Sequence, residues 1–542
     1  MSQFSSPDNL LEQLRTHLPA SLLDAVDHRL TELSKSNNKI TELSGELNVA
    51  RLKIQLLEEK LRLARIKRYG PTSEKLSSLQ LSLLDLEPGV SSEEVEAEAT
   101  RDPLEPIQKQ NQQKRKDRKK HPGRGPLPEN LPRIERTLVC TEDQLHCKQC
   151  GSETVVIGYD ENKVLDVKPA EYFVLVTKRE KRACRCCAEV GVMAAPMPER
   201  IIAKSLVSDR VVIDTLLNKY TAHVPLYRQS ALVERDTGVL IRRTTMDGWM
   251  MRSGDLLELL KPAMRKEILR SHYLQADETR VAVQMHDKRG KNHTAWLWQY
   301  GSPGGSVVFD FQMNRAREGP KKFLAGYEGI LQTDGYYAYD HDVGGKKMVH
   351  AACWSHARRY FFEVLQANRK DEAAARLVTR IDGLFAVDAR ARKQNFHHAE
   401  RHQLRLKETE PLLKPLREDL QTVLSQSLPS SDLAKACKYT LALWDRLTKF
   451  LEYPELELTN NSAENSMRLV ALGRRNWLHL GHEKAGPRVA AILSVIESCR
   501  RLGVSPRDYL AEVLPRLANL SSADDLSQLT PAAWAAKRSS QK

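Results

Sequence analysis

The sequence predicts a multidomain protein of mixed class. It would comprise an N-terminal coiled-coil helix, a zinc ribbon-like module, a helical region, and an α/β core with an all-α insertion. Three observations lead there: apolar residues recur at every seventh position near the N-terminus, cysteines pair as two C-x-x-C knuckles, and acidic residues recur in strand-like and then helix-like segments of the second half. At 542 residues the chain exceeds one ordinary domain, and about three or four are expected. Its 84 basic and 70 acidic residues leave a net charge of +14, which favours a polyanionic partner. The opening MSQFSSPDNLLEQL has no basic stretch followed by an apolar core, and no segment approaches the roughly 18 apolar residues of a membrane span. Neither a signal peptide nor a membrane partner is expected.

Val26, Leu33, Ile40, Leu47, Ile54 and Leu61 repeat at heptad spacing. Arg29, Ser36, Leu43, Ala50, Leu57 and Ala64, three positions on, form a second and partly apolar seam. This is a coiled-coil pattern that predicts a homo-oligomer, against the plainer alternative of a long helix packed on its own protein. Tyr69-Gly70-Pro71 should end the helix, giving a helical region over 1–70. Residues 71–132 read as a linker, acidic in SSEEVEAEATRD and then basic in KRKDRKKHPGRG. Within it Lys114, Arg115, Lys116, Arg118, Lys119 and Lys120 are candidates for gripping phosphates without reading sequence.

Six of the nine cysteines lie between Cys140 and Cys187, which in a reduced compartment points to metal. Cys147/Cys150 and Cys184/Cys187, separated by strand-like alternation in VLDVKPAEYFVLVTKREKRA, have the layout of a structural Zn²⁺ site over 133–198. Cys186 could replace Cys187 as a ligand, and Cys140 is a further candidate. Over 199–268 the pattern is helical. SLVSDRVVIDTLLNKYTAH is one amphipathic helix, followed by a helix, a turn at Gly238, and a second helix capped near Thr244. Helix, glycine turn and an Arg/Thr-rich helix suit either a helix-turn-helix, with Arg242 and Arg243 facing DNA, or ordinary hairpin packing.

From Ser271 the period becomes that of strands. SHYLQADETRVAVQMH, HTAWLWQYGS and SVVFDFQ form a meander; a helix around Lys321–Tyr327, a fourth strand GILQTDGYYAY, and a fifth strand leading into a helix in KMVHAACWSHARRYFFEVL follow. This order matches the ribonuclease H-like layout, with first and fourth strands adjacent. The core is thus expected over 269–357 and 458–520, split by a helical insertion at 358–457 and followed by a tail at 521–542.

Strand-borne Asp277 and Asp334 with helix-borne Glu464 could hold two divalent cations through oxygen alone. Two such ions about 3.5–4 Å apart can activate a water or hydroxyl at a phosphodiester and stabilise the leaving oxygen. Asp334 follows Asp277 by 57 residues and Glu464 follows Asp334 by 130, the longer gap being filled by the helical insertion. Glu278 should face away from Asp277, and Asp310, Asp340 and Asp342 lack a facing partner; Cys353 and His356 could suggest another zinc site, but two ligands at a strand-to-helix junction read rather as packing and hydrogen-bonding groups below the site. Arg468, Arg474 and Arg475, on the glutamate helix, could steady phosphates.

The pieces resemble, in one order along most of the chain, those of bacterial insertion-sequence transposases of the IS66 family, which are DDE recombinases. They are RIKRYGPTSEKL, GRGPLPENLPRIERTL, the paired knuckles, KYTAHVPLYRQSALVERDTGVLIRRTTMDGW, DET, TDGY, CWSHARR, NNSAENSMR and RLGVSPRDYL. The resemblance implies a catalytic triad at Asp277, Asp334 and Glu464, served by two Mg²⁺ or Mn²⁺ ions. It also implies DNA as partner (the element's inverted-repeat ends and a target), possible small companion proteins of the same element, and a cytoplasmic place at the nucleoid. Asn465 and His482 depart from the family pattern, which often has arginine and a small polar residue there. The competing expectation is a zinc-stabilised DNA-binding protein, or a decayed transposase, that binds without cutting.

Overall fold

The computed structural model describes residues 19–69, 172–178, 180–183, 192–194, 196, 198–203, 205–285, 291–340, 343–521 and 523–540. The knuckle cysteines, Cys140, Cys186 and the Lys114–Lys120 run therefore lie outside the described residues. Two units divide the chain, 105–182 and the remainder. In the smaller unit, 172–178 carries no ladder among the described residues, and its Phe173, Val174, Leu175 and Val176 are exposed. The strand-like alternation read from sequence therefore yields no strand over 172–178, whereas Lys181–Ala183 at its end is a short strand.

Helix α1 (Ala20–Tyr69) ends where Gly70-Pro71 begins, as the sequence predicts. Leu33, Ile40, Leu47, Ile54 and Leu61 of the first seam are all more than half exposed. It contacts α7 (Trp354–Ala367).

Four helices precede the sheet: α2 (Asp209–Tyr220), α3 (Leu226–Thr237), α4 (Arg243–Glu258) and α5 (Lys261–Ile268). Gly238 ends α3 at φ 70°, the left-handed cap that glycine adopts without strain. The cap of α4 is Arg242 rather than the expected Thr244, because Ile241 is buried under α3 and the chain turns helical directly after it. Arg242 and Arg243 are exposed on the first turn of α4, while Met246, Trp249, Met250, Leu256 and Leu257 join the same apolar core as the sheet. The crossing of α4 with α14 (Ala485–Arg501) is close: a Cβ on Gly254 would meet the Arg488 Cβ at 2.5 Å.

The sheet has five strands, β1 (Tyr273–Val283), β2 (His293–Gly301), β3 (Val307–Gln312), β4 (Ile330–Thr333) and β5 (Val349–Ala352), in the order β3-β2-β1-β4-β5. The meander is antiparallel, whereas β1/β4 and β4/β5 are parallel. The first and fourth strands are thus neighbours, with Gln275 opposite Gln332. Two expected boundaries move. The helix before β4 is α6 (Glu318–Phe323), ended by Leu324 and by Gly326 at φ 81°, instead of spanning Lys321–Tyr327. Strand β4 stops at Thr333, because Gly335 turns the chain at φ 88° and Tyr337–Tyr339 form a 3-10 turn.

Both faces of the sheet are covered, as parallel strands require. One face packs with α2, α4, α5, α14 and α15 (Pro506–Leu517) through a core holding Leu274, Ala276, Trp298, Phe309 and Leu331. The other, with Tyr273 and Ile330, packs on α7 and on the helical segment after it. That segment comprises α8 (Glu372–Lys393), α9 (His398–Leu404), a π-turn at Arg405–Thr409, α10 (Glu410–Gln426), α11 (Asp432–Ala442) and α12 (Trp444–Leu447). Then comes α13 (Asn461–Trp477), the helix that carries Glu464.

Candidate active site

Alternation along β1 puts Tyr273, Gln275 and Asp277 on the face toward the helical segment, and Leu274, Ala276 and Glu278 on the other. Asp277 and Asp334 each stand two residues beyond the Gln275–Gln332 register pair, so the parallel pairing brings them side by side. Their backbones are set locally. The Glu278 amide donates to Asp277 Oδ1 at 2.9 Å, and the Tyr336 amide donates to Asp334 Oδ1 at 2.8 Å. Gly335 makes that turn possible: its φ is 88°, and a Cβ there would lie 2.4 Å from a Leu443 methyl. The Tyr439 hydroxyl donates to the Asp334 carbonyl.

Glu464 lies in the first turn of α13, exposed at the mouth of the site. Neutral amides fix that helix against the sheet. Gln275 Nε2 donates to the Thr459 carbonyl at 2.9 Å, and the Ala463 amide donates to Gln275 Oε1 at 3.2 Å. Gln332 Nε2 donates to the Glu457 carbonyl at 2.7 Å, and Tyr273 Oη donates to Gln332 Oε1 at 2.5 Å. From the other side, buried Glu497 accepts from Ser466 Oγ at 2.7 Å and from Arg501 Nε at 2.9 Å, while Arg501 also donates to the Ser462 carbonyl.

The three carboxylates act on one another. Desolvation first, then the charges of Glu278, Glu464 and Asp334, push Asp277 well above the ordinary aspartate range, with His356 opposing them. His356 Nδ1 stands 3.8 Å from Glu464 Oε1. Burial works against its imidazolium, yet Cys353, Glu464 and Asp334 outweigh it and hold His356 above its usual value. Glu278 faces away, as the pleat predicts, and is held by Arg315 and by Tyr339 Oη at 2.9 Å. Arg315 itself lies 3.6 Å from the Tyr336 ring centroid. Asp310 and Asp340, which the sequence leaves without a facing partner in the acidic site, are paired with cations: Lys261 pairs with Asp310, and Arg446 and His350 pair with Asp340. Of Cys353 and His356, expected as packing and hydrogen-bonding groups, Cys353 is fully buried and accepts from the Asn460 amide at 3.4 Å. Their ligand atoms and that of Glu464 all lie within 4.8 Å of one another. Arg474 donates to Thr279 Oγ1 at 2.9 Å and to the Arg280 carbonyl at 2.8 Å, tying α13 to β1. Arg468 is half-buried and Arg475 exposed on the same helix.

Family models match the chain in four places. The model "Transposase IS66 family" matches residues 204–488, which contain all three acidic residues and the sheet that presents them. The chain belongs to the IS66 transposase family. "Transposase C of IS166 homeodomain" matches 56–136, "zinc-finger binding domain of transposase IS66" matches 144–188, and "IS66 C-terminal element" matches 494–532. This IS66 transposase is similar to two proteins of Sinorhizobium fredii. Uncharacterized protein y4qI is 29% identical, covering 94% of this chain and 96% of its own length. Uncharacterized protein y4hP is 30% identical, covering 89% and 88%. The zinc-finger match spans Cys147, Cys150, Cys184 and Cys187, in keeping with a structural zinc. Among the described residues, no helix is long and apolar enough to cross a membrane.

The glutamines were missed from sequence, although Gln275-Ala-Asp277 and Gln332-Thr-Asp334 repeat a Q-x-D signal. Gln275→Leu should leave the Thr459 carbonyl and Ala463 amide without their partner, at a cost of roughly 1–3 kcal/mol. The variant should slow any Mg²⁺-dependent DNA cleavage while binding DNA as the parent does. Unchanged cleavage at lowered stability would reduce Gln275 to a folding role.

Proposed function

We propose that this IS66 transposase is a DDE enzyme that cuts DNA at the ends of its element and joins the freed 3′-hydroxyl to target DNA. Its core is ribonuclease H-like: the strand order β3-β2-β1-β4-β5 with a helix-borne third acid supports that assignment. The observation that carries the reading is the convergence of acids on buried Asp277: burial first, then the charges of Glu278, Glu464 and Asp334, push it upward, and a cation or a proton relieves that. Asp277, Asp334 and Glu464 offer oxygen donors, the set that suits Mg²⁺ or Mn²⁺. Among the described residues, neither polar atom of the Asn460 side chain, buried at the start of α13, has a hydrogen-bond partner. Ions held by these three carboxylates supply Lewis-acid stabilisation of the phosphodiester oxygens and a nucleophile at neutral pH.

The remaining residues position and exclude. Asp277 lies centrally between its two partners, Gly335 and the Tyr336 amide aim Asp334, and the paired glutamines set the height of Glu464 above the strands. Arg474 holds α13 to β1, and Arg468 and Arg475 on the same helix would contact phosphates. Arg242 and Arg243 on the first turn of α4, and the Lys114–Lys120 run, would add backbone grip. End-labelled DNA carrying the element's termini tests the reading. Incubation with Mg²⁺ should release free 3′-hydroxyl ends, and a product covalently joined to protein would overturn it.

The apolar seam of α1 supports association with a second copy. Deleting residues 1–70 should leave a chain that binds one DNA end but pairs two poorly, read by sedimentation with and without end DNA. If the full chain stays monomeric and the truncated one still pairs ends, the heptads serve packing only.

A further inference from the structure

Cys353 caps α7 and is fully buried, and His356 follows three residues later, so both face the same side of the first turn. That side meets Glu464 of α13. The sulfur, an imidazole nitrogen and a carboxylate oxygen lie within 4.8 Å of one another, and His356 Nδ1 has no hydrogen-bond partner among the described residues. Ligand atoms on a four-coordinate zinc stand roughly 3.3–3.7 Å apart given its bond lengths. The His356–Glu464 separation of 3.8 Å is already near that, and the remaining closure is about an ångström. Glu464 is the exposed member, so an ion would enter from the mouth of the site. The donors differ in kind from the all-oxygen set beside them: thiolate and imidazole select Zn²⁺ over Mg²⁺.

We propose that Cys353, His356 and Glu464 form a second, thiophilic metal site that takes Zn²⁺ and, by claiming Glu464, switches the transposase off. Three protein ligands leave the fourth position to water, unlike the closed site of the zinc finger. On binding, the thiol releases its proton to solvent, as does His356 when protonated; no electrons move. Rising free zinc would thus compete with Mg²⁺ for one shared carboxylate. The inhibitory half of the proposal rests on the function proposed above, and the binding half does not.

The test uses the full chain with its zinc finger loaded, in Mg²⁺-free buffer, titrated with Co²⁺. The parent should develop a sulfur-to-cobalt charge-transfer band and the visible bands of four-coordinate cobalt, saturating at one added equivalent. Cys353→Ala should lose the sulfur band, and His356→Gln should weaken Co²⁺ binding by at least about tenfold, the scale at which even outer-shell changes act. Should Cys353→Ala fail to fold, judged by its thermal unfolding without added metal, His356→Gln carries the spectroscopic test alone. In Mg²⁺-supported cleavage, Cys353→Ala should remain active at Zn²⁺ concentrations that silence the parent. A sulfur band of equal strength in Cys353→Ala, Co²⁺ affinity unchanged in His356→Gln, or equal zinc inhibition of parent and Cys353→Ala would overturn the proposal. A chain that binds cobalt through Cys353 but never cleaves DNA would sink the proposed function and leave the metal site standing.

Discussion

Asp277→Asn should abolish strand cleavage and at the same time raise the thermal stability of the metal-free protein. Loss of one oxygen ligand removes several kcal/mol of transition-state stabilisation, on the order of a thousandfold in rate. Stability moves the other way because Asp277 is desolvated among Glu278, Glu464 and Asp334. A carboxyl whose folded value is raised above its unfolded one opposes folding once the pH exceeds the ordinary aspartate range, and ceases to do so below about pH 4. The gain on substitution, about 2–4 °C if the relief is near 1 kcal/mol, should therefore be largest near pH 8 and fade toward pH 4. Differential scanning across that range, beside cleavage and end-binding assays, checks both halves. Retained cleavage would remove Asp277 from the site, and a pH-independent gain would remove the charge argument.

Arg405→Met should be the most destabilising single change in the helical segment. Arg405 is fully buried in the π-turn; its guanidinium donates to both oxygens of buried Asp388, at 2.7 and 2.6 Å, and to the Phe450 carbonyl at 3.2 Å. Removing one partner strands an uncompensated buried charge, at a cost of about 3–5 kcal/mol. Arg405→Met with Asp388→Leu should recover most of the loss, since an apolar pair carries no desolvation cost. The neighbouring Glu457 adds a pH signature. Burial works against its charge, but Arg392, Arg401 and Arg405 overcome this and hold it at about 2. Its contribution is complete above about pH 5 and is lost as pH falls through 4 toward 2, and losing Arg405 should shrink that acid-dependent component. Urea unfolding of the single and double variants at pH 7 and pH 4 measures both effects. Equal stability of parent and Arg405→Met would refute the ion-pair account.

What was legible in the sequence follows from which physics leaves a periodic or positional trace. Heptads mark α1 because a seam must recur every turn or two, and Gly70-Pro71 marks its end. Asp277, Asp334 and Glu464 were legible through their order and the strands and helix around them, and the pleat correctly turned Glu278 away. The glutamine clamp left a fainter trace, since a neutral amide in a strand looks like any polar residue until its partner strand is known. Cys353 and His356 read as packing and hydrogen-bonding groups rather than a metal site because C-x-x-H at a strand-to-helix junction gains a third candidate ligand only when α13, more than a hundred residues on, docks against it. Boundaries moved where backbone geometry decides: Gly335 cut β4 short of Tyr337–Tyr339, and Gly326 held α6 to Glu318–Phe323.

The clamp between the paired strands and the Glu457–Ala463 segment also sets a timetable. Asp277 on β1 and Asp334, just past the end of β4, are both made before Ala352, but Glu464 emerges 130 residues after Asp334, and Glu497 and Arg501, which brace its helix, later still. At translation rates of about 5–20 residues per second, a nascent chain spends on the order of ten seconds with two acids in place and the third unmade. On the proposed function, it could touch DNA with its basic segments throughout that interval but could not cut it. A chain released early by a nonsense codon before Ser462 would be a permanent version of that state: a fragment able to occupy element ends and, by sitting on them, protect the genome from its own parent.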